Sequence, residues 1–139
     1  MKEKILNVLG WLIAVLLFGA FMFVGITKII PIEIDGEIMR DVHDQNFISW
    51  ELPYWLMFFV GGLEVIGAIG VLVKGLRAYA GIGITALMIC AMGVHFTNLE
   101  PEMVGPNIVL GGLAAVLTYI RRFELFYFMR SPKDDLDHQ

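Results

Sequence analysis

The sequence predicts an all-α fold, an integral membrane bundle of four helices running up-down-up-down with both termini in the cytoplasm. Composition is the first observation behind this: of 139 residues, 58% are hydrophobic and 17% charged, with a mean hydropathy of +0.73, whereas soluble chains carry roughly 25% charge. The second is a set of four apolar runs, Ile5 to Thr27, Leu52 to Val73, Ala78 to Val94 and Met103 to Ile120, interrupted by a charge only at Glu64. Each run is near the ~20 residues that span a bilayer. The third is sidedness. Lys2, Lys4, Lys74, Arg77, Arg121, Arg122, Arg130 and Lys133 flank one membrane face, against Lys28 and Arg40 on the other, and the positive-inside rule assigns the richer face to the cytoplasm.

Helix 1 is expected over residues 5–30. Its apolar run exceeds the ~7–15 residues of a signal-peptide core and no small-residue cleavage site follows, so it is read as a retained helix. Residues 31–51, PIEIDGEIMRDVHDQNFISWE, form an outer loop. Its apolar-acidic alternation around Asp35-Gly36 is a hairpin signal, while the spacing of Ile38, Val42 and Asn46 suggests a helical turn, and both readings stand. A loop of about 20 residues in a compact protein is ordinarily there for a reason, here a lid over the outer end of the bundle. Helices 2, 3 and 4 follow at about 52–74, 78–97 and 104–128. A short basic turn around Lys74 to Arg77 and an outer turn with Pro101, Gly105 and Pro106 join them, and short connections make sequential helices antiparallel neighbours.

Trp50, Tyr54 and Trp55 at one level and Tyr79, Tyr119 and Tyr127 at the other read as interfacial anchors. The stretch RRFELFYFMR continues helix 4 along the inner interface. Residues 1–130 thus make one transmembrane domain without internal repeats, and 131–139 a polar tail.

Little chain is left for a soluble catalytic domain or a nucleotide-binding module, and a net charge of -4 argues against nucleic acid. The single cysteine, Cys90, excludes an internal disulfide or a CxxC pair. No serine, cysteine or aspartate nucleophile stands beside a base in a recognisable motif, so no catalytic residue is assigned. His43 and His138 lie in the loop and the tail, leaving His95 alone in a helix; no metal-ligand spacing and no pair of axial haem ligands is present.

Glu64 is the most informative residue, about 18 Å of helix below Leu52 at 1.5 Å per residue. A carboxylate at that depth must face the interior or a wet cavity. Gly61, Gly67 and Ala68 flank it at helical spacing and admit a close neighbour. Two readings follow: a staple between helices, or part of a ligand, proton or substrate site. Lys28 is the candidate counter-charge, offset by about 10 Å along the helices, so a direct pair requires tilt, a water or a bridging ligand; snorkelling to the interface is its other reading. His95 shares a stripe with Thr85, Met88 and Met92, methionines suiting either a core or a ligand-lined cavity. Asn98 and Asn107 bracket the outer turn, with helix capping as their plain role. Together Lys28, Glu64, His95, Asn98 and Asn107 suggest a polar pocket opening outward.

FVGITKII at the end of helix 1, GGLEVIGAIGVLVKG in helix 2 and ALMICAMGVHF in helix 3 resemble the DoxX family over essentially all four helices. The resemblance implies a small bacterial inner-membrane protein of a family named for association with a terminal quinol oxidase. Members also resemble partners of oxidoreductase or thiol-stress systems, and eukaryotic relatives act as assembly chaperones. It marks Gly25 and Lys28, Glu64, Gly67 and Ala68, and His95, with Gly25 joining the helix-packing glycines. The acidic loop matches no family motif. The expected function is a non-catalytic accessory subunit of a redox or respiratory system, without an intrinsic cofactor and holding a quinone-like amphiphile or lipid. The alternatives are a small-molecule or proton-linked transporter using Glu64, for which four helices would serve as a homodimer, and a membrane-protein assembly factor.

Overall fold

The structure, a computed structural model, describes residues 1–129; the expected tail at 131–139, with Lys133 and His138, lies outside them, as does Arg130. Helix α1 (Lys2–Ile29) is followed by a two-stranded hairpin, β1 (Glu33–Ile34) and β2 (Glu37–Ile38), then α2 (Met39–Ser49), α3 (Tyr54–Gly70), α4 (Arg77–Thr97), α5 (Pro101–Ile120) and a 3-10 helix at Arg122–Met129. Helices α1, α4 and α5 are long and apolar enough to cross a membrane, and α3 is a shorter apolar helix of 17 residues.

Local chemistry sets most of these boundaries. Helix α1 stops at Ile29 because Pro31 disfavours helical geometry in the residue before it, and Ile30 is extended at φ -106° and ψ 137°. Pro53 caps α3, so this helix begins two residues later than expected, and it ends at Gly70, before a turn that needs Gly75 at φ +87°. Pro101, read as part of a turn, instead occupies the first position of α5, where its missing N–H removes no helical bond; Pro106 lies inside the same helix.

The largest departure is at the C-terminal side. The fourth long helix ends at Ile120 rather than near 128, and the chain tightens into the 3-10 helix. Side chains explain the turn. Arg121 donates to Asn7 Oδ1 of α1 at 2.9 Å, Glu124 accepts from the Gly75 N–H at 2.9 Å, and the Tyr79 hydroxyl donates to the Leu125 carbonyl. A straight helix would carry these groups away from the bundle.

Helix α1 packs most closely on α3, and α4 on α5, while α3 and α4 meet more loosely. Leu17, Ala68, Ile84, Met88, Ala114 and Leu117 form the shared core. The outside is apolar too: Leu12, Ile66, Ile89 and Val109 are each more than half exposed, the arrangement that a hydrocarbon solvent requires. Glycines set the closest approaches. A Cβ on Gly25 would sit 2.8 Å from the Gly61 carbonyl oxygen, and one on Gly61 would sit 3.0 Å from that of Gly25. Gly81, which sequence reasoning did not single out, makes the matching contact between α4 and α5 against Thr118 and the Ala114 carbonyl.

Gly81→Ala should therefore lower stability by about 1–3 kcal/mol, because the Ala114 backbone cannot yield. Gly83→Ala, which meets nothing within 4 Å, should be close to neutral. Thermal unfolding in detergent, followed by circular dichroism, compares the two.

Candidate functional site: a buried ion pair beneath a helical lid

Lys28 and Glu64 are 7% and 4% exposed, and the ammonium Nζ donates to both carboxylate oxygens, at 2.9 Å to Oε1 and 2.7 Å to Oε2. The expected offset of about 10 Å along the helices is closed without a bridging ligand. The reason is geometric. In a helix every Cα–Cβ bond tilts toward its own N-terminus, and α1 and α3 run in opposite directions, so Lys28 and Glu64 lean toward one another. The Gly25–Gly61 crossing lies between them: a Cβ on Gly61 would be 3.0 Å from Lys28 Cβ, and one on Gly25 would be 3.0 Å from Glu64 Cβ. Small residues bring the backbones close enough for the two stems to meet. Lys28 does not snorkel.

Above this pair lies the loop whose two sequence readings both hold, in succession. Asp35 at φ 53° and Gly36 at φ 84° make the two-residue turn of a hairpin pairing Glu33 with Ile38 and Ile34 with Glu37. The chain then enters α2 directly, the Met39 N–H donating to the Ile32 carbonyl at 2.9 Å. Helix α2 turns one face to the bundle, with His43, Phe47 and Trp50 at i, i+4 and i+7. Phe47 is buried and its ring lies 5.5 Å from that of Trp50.

His43 Nε2 is 3.2 Å from Thr27 Oγ1. The Thr27 hydroxyl faces the Phe23 and Val24 carbonyls, at 3.0 and 2.9 Å, so its proton goes to the backbone. Its oxygen accepts, and the network therefore assigns the imidazole hydrogen to Nε2. Burial first, and then the Lys28 charge, lower the His43 pKa to about 4.

The other end of α2 meets α4. The Trp50 ring stands edge-on to His95 at 5.2 Å, its indole N–H donates to Glu100 Oε1 at 3.1 Å, and Glu100 Oε2 is 2.8 Å from His95 Nδ1. Hydrogen bonds from His95, and then from Trp50, hold the Glu100 carboxyl below its usual range. A local motif places Glu100 there. Leu99 takes the left-handed conformation at φ 59° just past α4, and the N–H groups of Glu100 and Leu99 return to the His95 and Phe96 carbonyls, a Schellman ending. Helix α2 ends in the same way at Glu51, φ 56°, with Leu52 N–H on the Phe47 carbonyl.

The structure thus joins Lys28 to Glu64, and His95 to two residues that sequence reasoning treated otherwise: Trp50, read as an anchor, and Glu100. His43 and Thr27 were missed as well; the i, i+4, i+7 spacing of His43, Phe47 and Trp50 was the available signal. Met88 packs in the core over Gly111 and Met92 is half-buried. The Asn98 amide caps α4 on the Val94 carbonyl at 2.8 Å, while Asn107 Nδ2 makes no hydrogen bond among the described residues. Gly67 packs on Ile84 and Ala68 is fully buried. An apolar cavity of about 540 Å³ lies between α3 and α4, walled by Leu63, Gly67, Gly70, Gly83, Ile84 and Leu87 among others, with Tyr79 toward its inner end. The polar candidates do not line it. Among the described residues, no group of three metal-ligating side chains converges.

A family model described as the DoxX-like family matches residues 12–117. No curated protein and no solved structure matches the chain.

Glu64→Gln would leave the Lys28 charge buried without its partner and should cost about 3–5 kcal/mol of stability, whereas Lys28→Met combined with Glu64→Leu should recover most of that loss. Unfolding in mixed detergents measures both. His43 gives a pH signature. Its folded pKa of about 4 lies below the ordinary 6.5, so its contribution is full above pH 6.5 and falls away as the pH drops toward 4. The wild-type Tm should decline across that window more steeply than the Tm of His43→Gln, and imidazole nitrogen NMR should show a neutral His43 ring at pH 5.

Proposed function

The chain belongs to the DoxX-like family, and from that premise we propose that it is a non-catalytic accessory subunit of a quinol-linked redox or respiratory system in a bacterial inner membrane. It crosses the bilayer as an up-down-up-down bundle with both termini in the cytoplasm, the orientation favoured by its lysine and arginine distribution. It holds a quinone-like or lipid amphiphile. The observation that carries this reading is the apolar cavity of about 540 Å³ between α3 and α4, within the size range of small-molecule sites and walled by side chains suited to an isoprenoid or acyl tail. Lys28 and Glu64 neutralise one another beneath α2, which supports a structural duty for the pair.

One observation favours a second reading, proton-linked transport: His43, on the inner face of the lid, sits close enough to Lys28 for that charge to lower the histidine's pKa. In that reading Glu64 exchanges the proton and α2 gates access.

Gly83 offers a clean test, because it lines the cavity and a Cβ there meets nothing within 4 Å. Native mass spectrometry with quinone and lipid extraction should find a stoichiometric amphiphile on the wild type that Gly83→Leu loses while keeping its helical content. Identical retention by both proteins would remove the cavity as the ligand site. Proteoliposome flux abolished by Glu64→Gln would favour transport instead.

A further inference from the structure

At the end of the bundle away from α2, two guanidiniums hold more donors than the described residues supply acceptors for. Arg77, at the start of α4, is 7% exposed; its Nη1 is 3.4 Å from Glu124 Oε1, its Nη2 is 3.5 Å from the Leu72 carbonyl, and its Nε makes no hydrogen bond among the described residues. Arg121, just past α5, donates from Nη2 to the Asn7 side chain and carbonyl at 2.9 and 3.3 Å, and its Nε likewise has no partner among the described residues. Each guanidinium carries five N–H donors. Among the described residues the carboxylate in contact with Arg77 is Glu124, which also accepts the Gly75 N–H at 2.9 Å. Burial, followed by the nearby Arg77 charge, lowers the Arg121 pKa, and Glu124 opposes this only in part. Among the described residues one negative charge faces two positive ones at a partly desolvated position, an arrangement that a further anion would relieve.

Beside the two arginines a shallow groove of about 400 Å³ follows α1, walled by Asn7, Val8, Trp11, Leu12, Val15 and Leu16. Its two walls nearest the charges are the residues that hold them: Asn7 binds Arg121, and the Trp11 ring lies 4.2 Å from Arg77 Cζ. From Asn7 to Leu16 the helix rises about 14 Å, close to half of the ~30 Å hydrocarbon core. The groove is therefore apolar for the depth of one leaflet, and at its membrane-surface end Asn7 and Trp11 adjoin the two guanidiniums.

We propose that this face binds an anionic phospholipid, its headgroup phosphate on Arg121 and Arg77 and one acyl chain along α1 from Val8 to Leu16. Guanidinium donors match phosphate oxygens in geometry and charge, and basic pockets at helix ends take up anionic headgroups in membranes. The site is distinct from the α3–α4 cavity, and the two can fail independently.

The test uses the full chain in mild detergent, titrated with phosphatidylglycerol, phosphatidylcholine or inorganic phosphate and read by native mass spectrometry. Wild type should prefer phosphatidylglycerol by roughly tenfold, a difference easily resolved in relative Kd. Arg121→Gln should lose that preference. Arg122→Gln, which removes an exposed guanidinium stacked on the Tyr119 and Phe123 rings, should keep it. Added salt gives a measurement independent of any variant, since it should erode phosphatidylglycerol binding and leave phosphatidylcholine binding unchanged. Equal binding of the two lipids, or a preference indifferent to both Arg121→Gln and salt, would overturn the proposal. So would displacement of phosphatidylglycerol by inorganic phosphate at comparable concentration, which would assign the cluster to the free ion.

Discussion

The contact between Lys28 and Glu64 is the constraint around which the α2 end of this protein is arranged. Two opposite charges in a medium that does not solvate them must meet, and meeting requires α1 and α3 to approach within the reach of two side chains. Gly25 and Gly61 make that approach sterically available. The helices must also run in opposite directions, since only then does the N-terminal tilt of the Cα–Cβ bonds bring a residue one turn above the crossing toward a residue one turn below it. The pair, the glycines and the antiparallel arrangement form one device, and removing any part leaves a charge stranded.

Helix α2 completes the device. Its segment is too polar to enter hydrocarbon and too regularly patterned to be loose chain, and His43, Phe47 and Trp50 give it a single face to dock. Docking seals the ion pair from above and ties α1 to α4 through aromatic and carboxylate contacts. Non-glycine residues in left-handed conformations end both α2 and α4, at Glu51 and Leu99. The tertiary contacts that follow each turn, with Leu52 leading into α3 and Glu100 returning to His95, offset the local strain.

The two ends of the bundle solve charge differently. At the lid end Lys28 and His95 each have a close acidic partner, Glu64 and Glu100. At the other end Arg77 pairs with Glu124 and lies on Trp11, and Arg121 binds Asn7, where the chain turns from helix to 3-10 helix. Between these ends the bundle is apolar inside and out, and the looser contact of α3 with α4 leaves a cavity lined by glycines and aliphatic side chains, with Tyr79 at one end.

Hydrophobic run length and charge sidedness are properties of consecutive residues, and so the helical membrane class, the positions of the long helices and an interior-facing Glu64 with Lys28 as its candidate counter-charge were legible in the sequence alone. The loop was half legible: each of its two signals was local and correct, but nothing local says that one follows the other. His43, Trp50 and Glu100 could not be ranked from sequence, because their significance comes from residues 16 to 50 positions away, Thr27, His95 and Trp50 itself. Rise per residue counted along two helices placed Lys28 and Glu64 about 10 Å apart, and only the tertiary structure decided that they touch. Axial distance is read from one chain segment, whereas contact depends on how closely two backbones approach and which way their side chains lean.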